Sequence, residues 1–116
     1  MINCCIRYVI APGKTAEFEE YARRWITLIA KYGGTHHGYF LPDPQPDLDS
    51  SFSFPGLGAA GPTDVALALY TFPDAAAYRA YRRLAAEDDE CKEVTAWANE
   101  TKCFTSYERT FVKRRG

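Results

Sequence analysis

Residues 64–72, with the sequence DVALALYTF, constrain the fold more than any other segment of this chain. The composition is typical of a β-strand, in which side chains point alternately to two faces. A sheet with one face in water alternates apolar and polar residues along each strand. Here both faces are apolar, with Val65, Leu67 and Leu69 on one and Ala66, Ala68, Tyr70 and Phe72 on the other. We therefore predict a central strand that is covered on both sides.

The rest of the chain predicts strands and helices in a simple order. Runs of β-branched and aromatic residues indicate strands, and apolar residues at helical spacing indicate helices. The predicted strands span residues 2–10, 35–41, 64–72 and 103–112. The predicted helices begin at Thr15, which is expected to be an N-cap, at Asp74 and at Asp88, and Gly33 and Gly34 close the first.

This order predicts an α+β fold, a ferredoxin-like βαββαβ sandwich with a four-stranded antiparallel sheet and helices on one face. The first and third strands are expected to be central, with the second and fourth at the edges. We see no domain linker, so residues 1–116 are predicted to form a single domain, with a proline- and glycine-rich insert at about 42–63. Because the helices can cover only one face of the sheet, the other apolar face needs a second cover. The simplest is another copy of the chain, which predicts a homodimer with sheets packed face to face.

Composition excludes several classes of partner. The formal net charge is −1, which gives no electrostatic footprint for nucleic acid or an anionic membrane, and the basic end 113–115 is expected to be a solvated tail. No apolar run approaches the ~20 residues of a membrane span, and no signal peptide is recognisable. The cysteines show no Cys-x-x-Cys spacing, which predicts reduced thiols in a cytoplasmic protein. They are Cys4, Cys5, Cys91 and Cys103.

The only histidines, His36 and His37, are adjacent on the predicted second strand. Neighbours on a strand face opposite sides, so the two cannot bind one metal within a subunit, and no metal site is predicted. Either imidazole could serve as a catalytic acid–base group because its pKa lies near neutrality. The alternative is a structural histidine that is hydrogen-bonded within the strand or at an interface. We expect His37 to share a face with Tyr39, and His36 to share one with Gly38.

Ligand-binding residues are predicted from charge and aromatic content. Arg7 and Arg109 lie on strands that should be neighbours, and either could hold an anion; a dimer salt bridge or exposure at a sheet edge is the alternative. Trp25, Tyr39 and Tyr70 could stack on and orient a flat ligand, although aromatic residues at helical spacing also build ordinary cores.

Two further segments carry weaker predictions. Residues 56–61, GLGAAG, fit the glycine pattern of dinucleotide-binding turns. That site requires a strand before and a helix after the glycines, and neither is predicted here, so nucleotide binding is rejected. The insert at 42–63 is longer than most loops. It is predicted either to be a flap over a pocket or the partner subunit, or to be a solvent loop.

Several short motifs together resemble the NIPSNAP family of the dimeric α+β barrel superfamily. They are Ile6-Arg7-Tyr8, Pro12 with Lys14, Phe18, Tyr21 to Trp25, Gly33-Gly34, residues 38–42 (GYFLP), Phe72, Ala77-Tyr78 and residues 107–111 (YERTF). The resemblance implies a ferredoxin-like protomer that dimerises through its sheet. It also implies ligands between sheet and helices and no tightly held cofactor.

These observations predict binding, with or without conversion, of a small aromatic or apolar molecule between sheet and helices. The superfamily includes small monooxygenases, haem-degrading enzymes and chlorite-dismutase-like proteins. Cofactor-independent monooxygenase-like or isomerase-like chemistry is therefore expected by analogy alone. The alternative is a non-enzymatic module that binds a protein partner. That alternative predicts a filled interior and contact through the insert or the helix surface.

Overall fold

The predicted order of strands and helices is confirmed. The computed structural model describes residues 1–45, 47–48 and 56–116, so the middle of the predicted flap, residues 46 and 49–55, lies outside the described residues. The elements are β1 (Ile2–Ile10), α1 (Thr15–Lys31), β2 (Thr35–Phe40), β3 (Val65–Phe72), α2 (Ala75–Glu87), α3 (Asp89–Thr101) and β4 (Phe104–Val112). In the described part of the chain, no helix is long and apolar enough to cross a membrane.

The sheet has the strand order β2-β3-β1-β4, and every neighbouring pair is antiparallel. The first and third strands are therefore central, as predicted, and the fold is the expected ferredoxin-like α+β sandwich. All three helices lie on one side of the sheet, which we call the covered face. The opposite side, which we call the open face, carries the alternate residues of each strand.

Aspartate side chains begin two of the helices. The Ala77 backbone N–H donates to Asp74 at 2.8 Å, and the Cys91 N–H donates to Asp88 at 2.9 Å. Each bond satisfies a backbone donor that the first helical turn leaves unpaired. The prediction for α1 was wrong, because Thr15 is already helical and the preceding Lys14 makes no side-chain cap.

Asp88 also ties α1 to the junction of α2 and α3. Its carboxylate accepts a hydrogen bond from the Lys31 ammonium at 2.8 Å and another from the Tyr32 hydroxyl. The Asp88 side chain is only 7% exposed. The hydrogen bond from Lys31, with that from Tyr32, holds the pKa of Asp88 well below its usual range.

The core lies between the covered face and the helices. Small residues on β3 stand beside large ones on β1, with Ala66 paired to Tyr8 and Ala68 paired to Ile6. The Tyr8 ring makes edge-to-face contacts with four other aromatic rings, those of Phe18, Tyr21, Phe104 and Tyr107, at centroid distances of 5.0, 5.8, 5.1 and 5.3 Å. Burial of each large side chain of this kind is worth about 1.5–3 kcal/mol.

The open face carries apolar side chains that no helix covers. Leu67 is 42% exposed and Phe40 is 60% exposed, and the two residues are paired between β3 and β2. Val65 and Leu69 lie on the same side of β3. At the β1–β4 pair, Arg7 and Glu108 stand opposite each other, with 4.0 Å between the guanidinium and the carboxylate.

Candidate functional site

A bulge in β2 decides where the two histidines point. Gly38 has a φ of +110°, and the pairing of β2 with β3 shifts register between His36 and Tyr39. One extra residue reverses the alternation, so His36 and Tyr39 share the covered face, with stacked rings 4.8 Å apart. The prediction that His37 shares a face with Tyr39 was therefore wrong. A backbone at positive φ favours glycine, which explains the residue at this position.

His36 is a neutral ring with a defined tautomer. The Gly38 backbone N–H donates to Nδ1 of His36 at 2.9 Å, so the ring proton must lie on Nε2. Burial, with a smaller effect from His37, lowers the pKa of His36 to about 4. Nε2 itself is buried and finds no hydrogen-bond partner among the described residues. His36 therefore presents an unpaired N–H donor at neutral pH.

His37 lies on the open face, in a different environment. Its Nε2 is 3.2 Å from the Thr71 hydroxyl oxygen. It lines an open groove of about 530 Å³ together with Met1, Asn3, Thr35, Leu69, Thr71, Val112, Lys113 and Arg114. The structure thus separates the two histidines by the thickness of the sheet and brings only His36 to the core.

A small cavity lies between the sheet, α1 and α2. Its volume is about 40 Å³, and it is lined by Ile6, Tyr8, Tyr21, Trp25, Ile29, Tyr70, Tyr81 and Tyr107. The hydroxyl oxygens of Tyr8 and Tyr21 are 3.2 Å apart. Burial raises the pKa of Tyr8, Tyr21 and Tyr70, so these phenols are uncharged at neutral pH.

Three of the predicted ligand-binding residues lie in or beside this cavity. Trp25 and Tyr70 line it. Tyr39 does not line the cavity but lies next to Tyr8, which does, with 6.0 Å between the two ring centroids. His36 is adjacent through Tyr70, at 5.7 Å between ring centroids. The buried Nε1 of Trp25 has no hydrogen-bond partner in the described part of the chain, like Nε2 of His36.

The two predicted arginines lie on neighbouring strands but on opposite faces. Arg109 is paired with Ile6 on the covered face, whereas Arg7 is paired with Glu108 on the open face. The Arg109 guanidinium donates to the Tyr107 hydroxyl at 2.8 Å and lies 5.6 Å from the centre of that ring. Arg109 therefore contacts the cavity lining through Tyr107, whereas Arg7 is separated from the cavity by the sheet.

A sequence model of the NIPSNAP family matches residues 4–114. The chain belongs to the NIPSNAP family. No curated protein matches it.

Solved structures of other NIPSNAP proteins share the fold. The protein Atu4242 from Agrobacterium tumefaciens has a TM-score of 0.73 and 13% identity, over 99% of this chain and 94% of that one. The NIPSNAP family protein Atu5224 from the same bacterium has a TM-score of 0.71 and 19% identity, over 98% and 85%. A candidate antibiotic biosynthesis monooxygenase from Nitrosomonas europaea has a TM-score of 0.63 and 9% identity, over 98% of both chains. At these identities the likeness concerns the fold alone.

Sequence reasoning missed part of the cavity of this NIPSNAP protein. Tyr21 was not predicted to bind a ligand, although it lies four residues before Trp25 on the same side of α1, which is the signal that could have found it. Tyr81 and Tyr107 were also not among the predicted ligand-binding residues. Other tyrosines lie away from the cavity, since Tyr32 donates a hydrogen bond to Asp88 and Tyr78 packs on Phe111.

The cysteines of this NIPSNAP protein have the character of packing residues. All four are free, and Cys4, Cys91 and Cys103 are buried. Burial raises the pKa of Cys4 and raises that of Cys91 to about 11, which keeps both as unreactive thiols. Among residues 1–45, 47–48 and 56–116, no three His, Cys, Asp or Glu side chains are grouped so as to hold a metal ion.

Proposed function

We propose that this NIPSNAP protein binds a small, flat, largely apolar molecule between its sheet and its helices. The observation that carries the proposal is the cavity on the covered face, whose wall contains five tyrosines and one tryptophan. Aromatic side chains offer broad apolar contact together with polar tips, and pockets for small ligands combine these features. The same layer contains His36, Tyr39 and Arg109.

The volume of the cavity sets a condition on binding. About 40 Å³ holds a few water molecules, whereas an apolar cavity that accepts benzene is nearer 150 Å³. A ring therefore enters only if a side chain at the rim moves. Tyr107 is suited to this because it is 41% exposed and its hydroxyl is held by the exposed Arg109. Rotation of Tyr107 toward solvent would enlarge the cavity without disturbing the buried core.

His36 is suited to a particular role if the bound molecule reacts. A neutral imidazole with its proton on Nε2 stabilises negative charge that develops on an oxygen, by donating a hydrogen bond. The acid–base role assigned to His36 and His37 from sequence stays a prediction, as does cofactor-independent oxygenation.

A titration with α-methylstyrene, a one-ring hydrocarbon, tests the proposed function. In a protein labelled with ¹⁵N, we expect the indole N–H signal of Trp25 to shift on binding, while that of Trp97 stays in place. Trp97 is an internal control because its indole N–H donates to the Glu17 carbonyl oxygen at 3.1 Å, and it does not line the cavity. If no signal from the cavity lining responds to α-methylstyrene or to acetophenone, its carbonyl analogue, up to the solubility limit of each probe, the proposed function is wrong.

A matched pair of variants tests the rim. Tyr107→Ala should bind α-methylstyrene more tightly than the wild type, because the ring no longer displaces Tyr107. Tyr78→Ala is the control, since Tyr78 contacts Phe111 and lies outside the cavity lining. Equal binding by the Tyr107→Ala variant and the wild type would contradict the assignment of Tyr107 as the moving residue.

The open face supports a second proposal, that the protein is a homodimer joined through this face. Leu67 on β3 and Phe40 on β2 are large exposed apolar residues of this face, and Val65 and Leu69 lie on the same side of β3. Monomeric proteins rarely expose a contiguous apolar patch of this kind, and a two-fold contact covers it with one more copy.

One observation favours the alternative of a non-enzymatic module that binds a protein partner. The cavity is small, as expected for an interior that is filled by its own side chains. Under this alternative, one-ring probes leave the Trp25 signal unmoved and the protein recruits its partner by its outer surface.

A further inference from the structure

Two buried N–H donors between the sheet and the helices have no acceptor among the described residues, and they belong to different elements. One is Nε1 of Trp25 on α1, and the other is Nε2 of His36 on β2. An unpaired buried donor costs about 1–3 kcal/mol, so folded proteins rarely leave two such groups in one layer. By contrast, the second tryptophan of the chain, Trp97, donates to a backbone carbonyl.

The packing of α1 on β2 implies that Trp25 and His36 lie at a similar height along the layer. A Cβ placed on Gly34, just before β2, would stand 2.7 Å from the Ile29 side chain, and the Phe18 ring is 6.0 Å from the Tyr39 ring. The helix and the strand therefore run in opposite directions. Trp25 lies one turn before Ile29, about 6 Å along the helix, and His36 lies two residues after Gly34, about 6.6 Å along the strand.

Tyr70 is a neighbour of both donor residues. It is paired with His36 across the sheet, and it lines the cavity together with Trp25. Neither nitrogen can accept a hydrogen bond. An indole nitrogen can only donate, and because Nδ1 of His36 accepts from the Gly38 N–H, Nε2 carries the ring proton. A ligand group that meets them must therefore accept hydrogen bonds, and a hydroxyl hydrogen would find no acceptor at either nitrogen.

We propose that the ligand of this site is a neutral aryl carbonyl compound, such as a ketone, aldehyde or quinone. Its oxygen accepts hydrogen bonds from Trp25 and His36, and its ring lies against the cavity tyrosines. The inference rests on the proposed function and names its ligand class. A neutral carbonyl is preferred to a carboxylate because, among the described residues, the cavity lining contains no cationic side chain, and the Arg109 guanidinium contacts it only through the Tyr107 hydroxyl at the rim. An anion at the two donors would be buried without a paired charge.

A pair of probes of equal shape isolates the hydrogen bonds. Acetophenone and α-methylstyrene differ only in C=O against C=CH2, and benzoate supplies the anionic comparison. We expect acetophenone to bind about tenfold more tightly than α-methylstyrene, since each net hydrogen bond is worth a few-fold in Kd. With acetophenone, the indole N–H proton of Trp25 should shift downfield and the ¹⁵N signals of His36 should retain the Nε2–H tautomer.

Each outcome separates this inference from the proposed function. If both probes bind equally and the Trp25 proton does not shift downfield, the carbonyl class is wrong and the binding site stands. Tighter binding of benzoate than of acetophenone also overturns the inference, in favour of an anionic ligand. If neither neutral probe binds, the inference and the proposed function fall together.

Two conservative variants locate the donors. Trp25→Phe and His36→Phe keep an aromatic ring and remove an N–H, so each should weaken acetophenone about threefold to tenfold and leave α-methylstyrene within about twofold. A variant that weakens both probes equally would assign its residue to packing alone. The downfield shift in the wild-type protein tests the Trp25 contact even if a variant does not fold.

Discussion

The two faces of the sheet are built from the same strands and have opposite characters. The covered face holds tyrosines with raised pKa values, a small cavity and the neutral His36, all sealed by helices. The open face holds exposed Leu67 and Phe40, the Arg7–Glu108 pair and His37 in a wide groove. Because neighbours on a strand point to opposite faces, adjacent residues of one type enter different environments. The lesson is that a residue pair such as His36-His37 is not a unit of function.

The largest expected effect concerns association through the open face. Leu67→Glu places a charge in the proposed apolar interface, where an unpaired buried carboxylate costs several kcal/mol, so the dimer Kd should rise by at least about 100-fold. Sedimentation velocity over a concentration series measures this change. Leu84→Glu on α2 is the control, because Leu84 is 46% exposed against 42% for Leu67 but lies on the helix side. A wild-type protein that sediments as a monomer would contradict the pairing of open faces.

The next effect tests how tightly the covered face is packed. In Gly34→Ala, the added Cβ would stand 2.7 Å from the Ile29 side chain and 2.8 Å from the Phe72 ring. Overpacking of this kind typically costs about 1–3 kcal/mol of unfolding free energy, which urea denaturation measures. Gly61→Ala is the control, because a Cβ there meets nothing within 4 Å. Equal midpoints for the two variants would show that the covered face tolerates an extra methyl group.

The smallest effect is a pH dependence that comes from His36. Its pKa is about 4 in the folded protein against 6.5 ordinarily, so between these values the unfolded chain binds more protons than the folded one. Stability should therefore fall as the pH drops from 6.5 toward 4, by about 1–2 kcal/mol once the partial exposure of the ring is allowed for. His36→Phe should lose this slope in urea midpoints measured across the window.

Asp88→Asn is the matched control for that measurement. The pKa of Asp88 is lowered, mainly by the hydrogen bond from Lys31, so its contribution is present above its ordinary pKa of 3.8 and is lost as the pH falls below that value. The Asn variant should keep the slope between pH 6.5 and 4 and lose the steeper fall at lower pH. A His36→Phe protein with the wild-type slope would assign the upper window to another group.

Much of the architecture was predictable because its signals are local. The doubly apolar β3 indicated a central strand, and Asp74 and Asp88 marked helix starts by their side-chain chemistry. The strand order followed from the arrangement of elements. The N-cap predicted at Thr15 was wrong because the helix begins one residue earlier, with the Lys14 carbonyl accepting a hydrogen bond from the Phe18 N–H at 2.9 Å.

The site was less predictable because it depends on register. Trp25 and Tyr70 line the cavity because of the regular periodicity of helix and strand, and their role in binding a ligand stays a prediction. The faces of Arg7 and Arg109 can be compared only when the pairing of β1 with β4 is known. Arg109 is paired with Ile6, one position from Arg7, and this odd offset puts the two arginines on opposite faces. Tyr39 reached the covered face through a bulge, and a glycine in a strand signals a bulge without fixing which neighbours it reverses.

The bulge at Gly38 divides the edge strand into two regularly alternating halves, one up to His36 and another from Tyr39 onward. Deleting that single glycine would remove the extra residue and join the two halves into one regular strand, with Tyr39 still facing the helices and Phe40 still facing outward. Straightening the strand with the glycine retained would instead send the phenol of Tyr39 outward and draw Phe40 inward. The bulge thus lets this edge carry one residue more than its neighbour while the imidazole–phenol stack is preserved.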